Sequence, residues 1–240
     1  MLLAQRLRRF FGAAALVSIC CFVYRWLCFA RVAAMLKVGL TGGIGSGKST
    51  AAAQLIKLLG NDAALVDADQ IARDVITPAL PELVQAFGQG ILQADGSVNR
   101  GELAARAFVD REHTDMLNAI MHPKINELTE RRFQHAAAEG KLIVLYDNPL
   151  LVDMSKHKDV DVVIVVDVDS QERVRRLVAQ RGLDPDDARR RIAQQIDDDT
   201  RRAAADLIID NNGGLEQLEP QVARIADQLR QQAHTTPATD

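Results

Sequence analysis

The residues of this chain most able to do chemistry form one glycine-rich run, 42–49, in which Gly42, Gly47, Lys48 and Ser49 fill every fixed position of the pattern G-x-x-x-x-G-K-[ST]. In such a run the backbone N–H groups surround the phosphates of a nucleotide, the lysine reaches the β- and γ-phosphates, and the hydroxyl can hold Mg²⁺. The pattern therefore predicts a site for a nucleoside triphosphate with Mg²⁺. The expected nucleotide contacts are Gly43, Ile44, Gly45, Ser46, Gly47, Lys48, Ser49 and Thr50.

A phosphate-binding loop must be positioned by a strand that enters it and a helix that leaves it, and the flanking residues predict both. Residues 36–40 are a short apolar run typical of a strand. Residues 49–59 contain neither Gly nor Pro, their apolar side chains recur on one helical face, and Gly60 ends the run. The alternative is a glycine-rich turn with an unrelated lysine, and this context argues against it.

Two carboxylates, Asp67 and Asp69, follow the next apolar run, 63–66. Phosphoryl transfer needs a group that orients the attacking hydroxyl of the acceptor. We expect Asp69 to accept the proton of that hydroxyl, and Asp67 to order water around Mg²⁺. The alternative role of Asp69 is an N-cap of the helix that follows, and the two roles are compatible.

A third carboxylate, Asp147, follows the apolar run 142–146, where a carboxylate can bind Mg²⁺ through water. A strand-end turn is its alternative role. No Glu follows Asp147, which counts against an ATP-hydrolysing machine, and the chain has no N-K-x-D motif, which counts against a GTPase.

Arginines are concentrated between residues 173 and 202, and most are expected to be solvated charges on helix surfaces. Arg181 is the exception. It precedes Gly182 at a helix break, where the hinge of a lid would bring its guanidinium onto the transferring phosphates. His122 has no second His or Cys at a metal-binding spacing, so we expect it to be structural and expect no structural metal.

Five apolar runs alternate with helical segments, a βαβ pattern that predicts an α/β fold with a parallel sheet. The last four lack polar alternation, which is typical of strands covered on both faces. Two intervals are too long for simple crossovers, and they predict a helical insertion at 69–140 and a helical lid at 170–203. The runs are 36–40, 63–66, 142–146, 162–166 and 207–209, and the nucleotide core spans about 35–68, 141–169 and 204–232.

Capping patterns place the helix boundaries within these intervals. Asn99 with Glu102 has the spacing of a capping box, and a helix over 116–133 continues across Pro123. We expect Ser170 to cap the first lid helix, and Asp184 to start a second one that continues through the arginines at 201 and 202. A last helix over 215–229 closes the fold, and residues 234–240 are expected to be a frayed tail.

The composition, 48% hydrophobic and 25% charged over 240 residues, is that of a soluble globular protein, but residues 1–34 differ from the rest. They hold five arginines, no acidic residue and all three cysteines, which leaves 24 basic against 32 acidic residues in 35–240. This acidic, cysteine-free body argues against a nucleic-acid partner and against disulfides.

The apolar run 10–24 suits a signal-peptide core better than a membrane span of about 20 residues. We expect translation to start at Met35, immediately before the first strand. A membrane anchor or an organellar targeting segment in 1–34 is the alternative. A cytoplasmic location with no membrane contact by residues 35–240 is expected.

The chain resembles a known family, the dephospho-CoA kinases, across residues 35–215. The order and spacing of several short motifs carry the resemblance. They are residues 38–50 around the glycine-rich run, Asp67-Ala68-Asp69 followed by Ile71-Ala72-Arg73, His122-Pro123, Pro149-Leu150-Leu151, Gln180-Arg181 and Asp210-Asn211-Asn212-Gly213. The resemblance implies a P-loop NTPase three-layer fold with a nucleotide core, a helical CoA-binding insertion and a lid.

The resemblance also implies the reaction, transfer of the ATP γ-phosphoryl group to the ribose 3′-hydroxyl of dephospho-CoA to give CoA. It makes Asp69 the catalytic base, Lys48, Ser49 and Thr50 the phosphate and Mg²⁺ contacts, and Arg181 the lid arginine. Elements of the acceptor site are Arg73, His122, Pro149, Leu150 and Leu151. The family usually continues that last turn with an aromatic residue and Glu, whereas this chain has Val152-Asp153.

Two alternatives stay open beside this reaction. One is another small-molecule or nucleotide kinase on the same scaffold. The other is a membrane-tethered nucleotide-binding switch without an acceptor, although the missing hydrolytic Glu argues against it. We expect a monomer or a weak homo-oligomer.

Overall fold

The carboxyl ends of five parallel strands meet at one edge of a single sheet. The computed structural model describes residues 35–235, so the expectations for 1–34 and for 236–240 lie outside the described residues. The strand order is β2-β3-β1-β4-β5, which puts the strand that enters the glycine-rich run at the centre. The predicted parallel sheet is confirmed. The strands are β1 (Leu36–Gly42), β2 (Ala63–Asp67), β3 (Ile143–Asp147), β4 (Val162–Asp167) and β5 (Leu207–Asp210).

Helices cover both faces of the sheet, which makes the three-layer α/β fold that was predicted. Within 35–235 the helices are α1 (Lys48–Leu59), α2 (Ala68–Asp74), α3 (Ile76–Phe87), α4 (Arg100–Ala107), α5 (Arg111–Ala138), α6 (Ser170–Arg181), α7 (Pro185–Ala193), α8 (Asp198–Ala203) and α9 (Leu215–Thr235). Short 3-10 turns occupy Gly60–Asp62, Gln89–Ile91 and Lys156–Asp159.

Two apolar clusters form the core, one on each face of the sheet. Leu55 of α1 and Leu229 of α9 belong to the first, together with side chains of β1, β3 and β4. Leu83 of α3 and Phe133 of α5 belong to the second, which lies on the opposite face. The helical insertion therefore forms the second helical layer, and it also leads from the end of β2 back to β3.

The two edge strands differ from the expectation that they are covered on both faces. Leu65 of β2 is 47% exposed and Ile208 of β5 is 46% exposed. An edge strand has a neighbour on one side only, and here the helical layers cover the central strands more fully than the margins. The apolar pattern alone carried no signal for strand order, so it could not distinguish central from edge strands.

Helix starts in the insertion depend on side-chain caps. Asn99 accepts the N–H groups of Gly101 and Glu102 at the start of α4, as predicted, and α5 passes through Pro123 without a break. The N-cap of α2 is Asp67, whose carboxylate accepts the N–H of Gln70. The alternative role of Asp69 as the N-cap is therefore wrong, because Asp69 already lies in the first turn of α2.

The segment 170–203 forms three helices where two were predicted. Helix α6 begins at Ser170 with Asp169 at the N-cap position, so Ser170 is not the cap. It ends at Arg181, and Gly182, whose φ is 62°, is the C-cap. Asp184 caps α7 as predicted. The expected continuation through the arginines at 201 and 202 is wrong, because Asp197 accepts the N–H of Thr200 and starts α8. Asp and Thr side chains can restart a helix without Gly or Pro.

The last helix is longer than predicted. Helix α9 continues to Thr235 and includes His234, because Ala233 extends its apolar face and is buried in the first cluster. The frayed tail expected from residue 234 therefore does not begin there. Of the helices between residues 35 and 235, none combines the length and the apolar character that crossing a membrane requires.

Candidate active site

The glycine-rich run leads from the end of β1 into the first turn of α1 and has the backbone shape of an anion-binding loop. Gly45 and Gly47 have φ values of 81° and 82°, which a residue with a side chain adopts only with strain. Gly47 is the N-cap of α1 and no side chain caps it, so the first N–H groups of the helix are open to an anion. The loop and the helix therefore offer backbone donors to phosphate from one side.

Three more distant side chains hold the loop in this shape. The Asn211 amide donates to the Ser46 carbonyl at 2.7 Å, and Arg176 donates to the Asn211 carbonyl at 2.6 Å. On the other side of the loop, the Ile44 N–H donates to Gln195 Oε1 at 2.8 Å. These contacts come from the α7–α8 turn, from α6 and from the residue after β5.

A buried arginine lies directly behind the loop. Arg173 of α6 is 2% exposed, and a Cβ placed on Gly43 would collide with its guanidinium. Asp198 accepts from Arg173 and also from Arg201, which is itself buried. Burial lowers the pKa of Arg173, and the Asp198 carboxylate opposes that shift. The loop therefore rests on a buried ion cluster, in which two arginines share one carboxylate, and on the apolar side chain of Leu177.

Three carboxylates lie together at the carboxyl ends of β2 and β3. Asp67 and Asp147 are partners in the strand register, and Asp69 follows in the first turn of α2. Burial raises the pKa of Asp147 above its usual value, the Lys48 contact opposes this, and the charges of Asp67 and Asp69 add to it. Lys48 forms an ion pair with Asp147 in which both side chains are mostly buried.

This donor set fits Mg²⁺, which prefers oxygen ligands and is usually held by one or two carboxylates together with substrate phosphates. The Ser49 hydroxyl and the Asp147 carboxylate are the groups that would hold it, as the sequence suggested. Among residues 35–235 no group of three His, Cys, Asp or Glu side chains could hold a metal ion on its own. A magnesium ion at this site would therefore depend on the nucleotide phosphates for the rest of its ligands.

The loop, the carboxylate of Asp69 and two arginines, Arg176 and Arg181, line an open cleft of about 750 Å³. Residues of the predicted lid also line this cleft. Of the residues expected to act in catalysis or at the acceptor site, those that line it outside the loop are Asp69, Pro149, Leu150 and Arg181. Arg181 is exposed and makes no hydrogen bond or ion pair with any residue of 35–235.

Three residues expected at the acceptor site do not line this cleft. Leu151 is fully buried in the second cluster and packs on Gly39 of β1, so its position indicates a core residue. Arg73 is exposed on α2 and donates twice to Gln70 Oε1, at 3.1 and 2.9 Å. His122 is half-buried on α5 and makes no hydrogen bond with the described residues. None of the three lines the cleft.

Sequence reasoning missed Gln195, Arg173 and Arg176 as parts of the site. Gln195 and its partner Ile44 are 151 residues apart, and no motif connects them. The three arginines of α6 before Arg181 look alike in the sequence. Only the packing of α6 on the loop distinguishes buried Arg173 from exposed Arg175. Asn211 did give a signal, because it belongs to the Asp210–Gly213 motif quoted for the resemblance.

The sequence model of one family, described as dephospho-CoA kinase, matches residues 36–217. The chain belongs to the dephospho-CoA kinase family. A dephospho-CoA kinase of Corynebacterium efficiens is 54% identical over 199 residues, which cover 81% of this chain and 98% of that relative. The predicted family membership is thus confirmed, and the match includes the loop, the insertion and the three helices that follow β4.

Solved structures agree with the fold. The protein TT1252 from Thermus thermophilus has a TM-score of 0.71 and 29% sequence identity to this chain. The match covers 81% of this chain and 98% of the TT1252 chain. A dephospho-CoA kinase from Campylobacter jejuni has a TM-score of 0.57 and 23% identity, covering 80% and 96%, and supports the fold alone. The predicted three-layer α/β fold of a P-loop kinase is confirmed.

Proposed function

We propose that the protein transfers the γ-phosphoryl group of ATP, bound with Mg²⁺, to the ribose 3′-hydroxyl of dephospho-CoA, giving CoA and ADP. Family membership over residues 36–217 supports the identity of the acceptor. The structural observation that carries the proposal is that Asp69 and Arg181 line the same cleft as the phosphate loop. We place the reaction in the cytoplasm and propose a monomer or a weak homo-oligomer.

The nucleotide is held first by the backbone. The N–H groups of the loop and of the first turn of α1 donate to its phosphates, and the positive end of the helix dipole favours their charge. Lys48 is held at the end of β3 by Asp147 until the phosphates compete for its ammonium group. Mg²⁺, when bound beside Ser49 and Asp147, neutralises phosphate charge.

Proton acceptance is the role we assign to Asp69. Its carboxylate lies in the cleft at the start of α2, and the neighbouring carboxylate of Asp67 is already engaged in capping that helix. A base has to come within hydrogen-bond reach of the hydroxyl that it deprotonates. Asp69 can do so for an acceptor that enters between α2 and the 149–150 turn.

Arg181 is the second catalytic group in this proposal. It is the last residue of α6, it is followed by Gly182 in the left-handed conformation, and it has no partner among residues 35–235. Movement of the chain at this hinge would bring its planar donor group, which already lines the cleft, onto the transferring phosphoryl group. Its charge then stabilises the transition state.

The acceptor is longer than the cleft, so parts of it extend along the insertion. Pro149 and Leu150 contact it within the cleft. Arg73 lies four residues after Asp69 and therefore on the same side of α2, where it can reach a phosphate of the acceptor. His122 on α5 is proposed to contact the acceptor farther out.

An acceptor panel tests the function. Purified protein with ATP and Mg²⁺ is offered dephospho-CoA, AMP or shikimate, and ADP release is measured by a coupled assay. We expect turnover with dephospho-CoA alone. Phosphorylation of one of the other acceptors would show a different small-molecule kinase, and slow ATP hydrolysis indifferent to dephospho-CoA would show a nucleotide-binding switch.

Asp69→Asn tests the base. We expect kcat to fall about 10²- to 10⁴-fold, with the Kd for ATP almost unchanged, because the change removes proton acceptance and not phosphate binding. Asp62→Asn, at the opposite end of β2, is the matched control and should keep full activity. Near-normal turnover of Asp69→Asn eliminates this residue as the base.

A further inference from the structure

The turn between α7 and α8, residues 194–197, contacts two parts of the site through consecutive residues. Gln195 Oε1 accepts the N–H of Ile44 in the phosphate loop at 2.8 Å. The next residue, Ile196, donates its own N–H to Asp153 Oδ1 at 3.3 Å. Asp153 ends the turn that begins with Pro149 and Leu150, which we call the acceptor turn (149–153).

The far side of the 194–197 turn is anchored to the buried cluster behind the loop. Arg201 donates to the carbonyl of Ile196 at 3.1 Å and to Asp198, which also accepts from Arg173. Arg173 in turn lies against Gly43. The 194–197 turn is therefore fixed to the phosphate loop at two places. A displacement of the loop is passed on to the turn, and a displacement of the turn to the loop.

The chemistry of the Gln195 and Asp153 contacts allows both hydrogen bonds to change when a ligand binds. Gln195 is neutral and lines the cleft, so it can accept a loop N–H without repelling a phosphate nearby. The second carboxylate oxygen of Asp153, Oδ2, is buried and has no hydrogen-bond partner among residues 35–235. A buried acceptor without a donor is costly, so a small shift of the turn that brings it a donor is favourable.

We propose that Gln195 and Asp153 are positioning residues that couple occupancy of the phosphate loop to the placement of the acceptor turn. Phosphate binding moves the Ile44 N–H, Gln195 follows it, and the adjoining N–H of Ile196 carries Asp153 with the acceptor turn. ATP then raises the affinity for dephospho-CoA, and by linkage dephospho-CoA raises the affinity for ATP by the same factor. The inference rests on the proposed function for the identity of the second ligand.

Calorimetry of the full chain measures this coupling. The Kd for dephospho-CoA is determined with and without a non-hydrolysable ATP analogue and Mg²⁺, and the ratio of the two values is the coupling factor. We expect a factor of about fivefold or more for the unaltered protein. Gln195→Met keeps the volume of the side chain and loses the amide oxygen, so the factor should fall to about one while the Kd for dephospho-CoA alone changes less than about twofold.

Four further variants distinguish coupling from a structural role. Asp153→Ala should also abolish the factor, whereas Asp153→Asn keeps an acceptor oxygen and should retain it. The double variant Gln195→Met with Asp153→Ala should lose no more than either single change, since both break one connection. Gln194→Ala is the matched control, because that neighbouring side chain is exposed and makes no hydrogen bond with the described residues.

The outcomes separate this inference from the function on which it rests. A protein that neither binds nor phosphorylates dephospho-CoA overturns the proposed function. Normal phosphorylation with a coupling factor of one in the unaltered protein overturns the coupling alone. The coupling is also overturned if Gln195→Met keeps the full factor, or if Gln194→Ala loses it equally.

Discussion

Leu150 and Leu151 are neighbours in the chain with opposite surroundings, and replacing each by alanine separates a binding role from a packing role. Leu151 is completely buried and packs on Gly39, while Leu150 is 44% exposed and lines the cleft. We expect Leu151→Ala to lower the free energy of unfolding and to leave the KM for dephospho-CoA unchanged. Leu150→Ala should raise the KM for dephospho-CoA and change the free energy of unfolding little.

The size of both effects follows from burial. Leu→Ala removes three carbon groups, and at about 0.8 kcal/mol each their loss from a buried site costs about 2.4 kcal/mol. The cavity left between the acceptor turn and β1 brings the cost for Leu151 to about 3–4 kcal/mol. For a chain of this size that lowers Tm by roughly 6–16 °C. Leu150 should lose about 1 kcal/mol of stability or less, and a lost acceptor contact of about 1 kcal/mol raises KM about fivefold.

Thermal and urea unfolding give the stability of each variant, and initial rates at saturating ATP give the KM for dephospho-CoA. Both measurements use temperatures well below the lower Tm, so that the folded fraction does not affect the rates. The reasoning is refuted if Leu151→Ala melts within about 2 °C of the unaltered protein and raises KM. That result would mean that the Leu151 side chain contacts the acceptor rather than the sheet.

Two further changes test the loop and the helix that supports it. Gly47→Ala should weaken ATP binding at least tenfold by isothermal titration, because its φ is 82° and the added Cβ would collide with the Asn211 amide that holds the loop. Gly60→Ala is the control, because Gly60 also has a positive φ of 61° but an added Cβ there meets nothing within 4 Å. Equal ATP affinities of the two variants would contradict the prediction. Two arginines of α6 lower the pKa of Glu172 to about 2, so its contribution to stability is complete above its ordinary pKa of 4.5 and is lost as pH falls from there toward 2. Glu172→Gln should therefore be less stable than the unaltered protein by up to about 1 kcal/mol at pH 7, after solvent screening. This difference in the free energy of unfolding, measured with urea, should become smaller toward about pH 3. A difference that does not change with pH would exclude the carboxylate as its source.

Much of the fold follows from local patterns in the sequence. The strand at 162–166 is an apolar run without polar alternation, and it lies next to the central strand of the sheet, where both faces are covered. The break at Gly182 and the cap at Asp184 are single-residue signals with a direct conformational cause. Prediction failed where the cause is not local: the exposed face of β2 at Leu65 depends on which strands flank it.

The candidate site was likewise predictable where its residues belong to one short run, and not where they meet only through folding. Gly47, Lys48 and Ser49 were found because the phosphate-binding pattern fixes their positions within one short run. The buried role of Arg173 was not found, because the sequence of α6 presents several similar arginines. Asp67 and Asp69 were correctly grouped at the end of β2, yet their division of roles depends on the residue at which α2 begins.

The sequence by itself determined the phosphate-binding chemistry of this protein, the alternation of strands and helices, and the family to which it belongs. All three depend on short contiguous runs and on their order along the chain, and within each run the backbone conformation and the functional groups are specified together. The tertiary structure alone decided that Lys48 pairs with Asp147, 99 residues away, and that Gln195 holds the Ile44 amide. It also decided that Leu150 faces the cleft while Leu151 faces the core, because the direction of a side chain in a turn is set by the strand against which the turn packs.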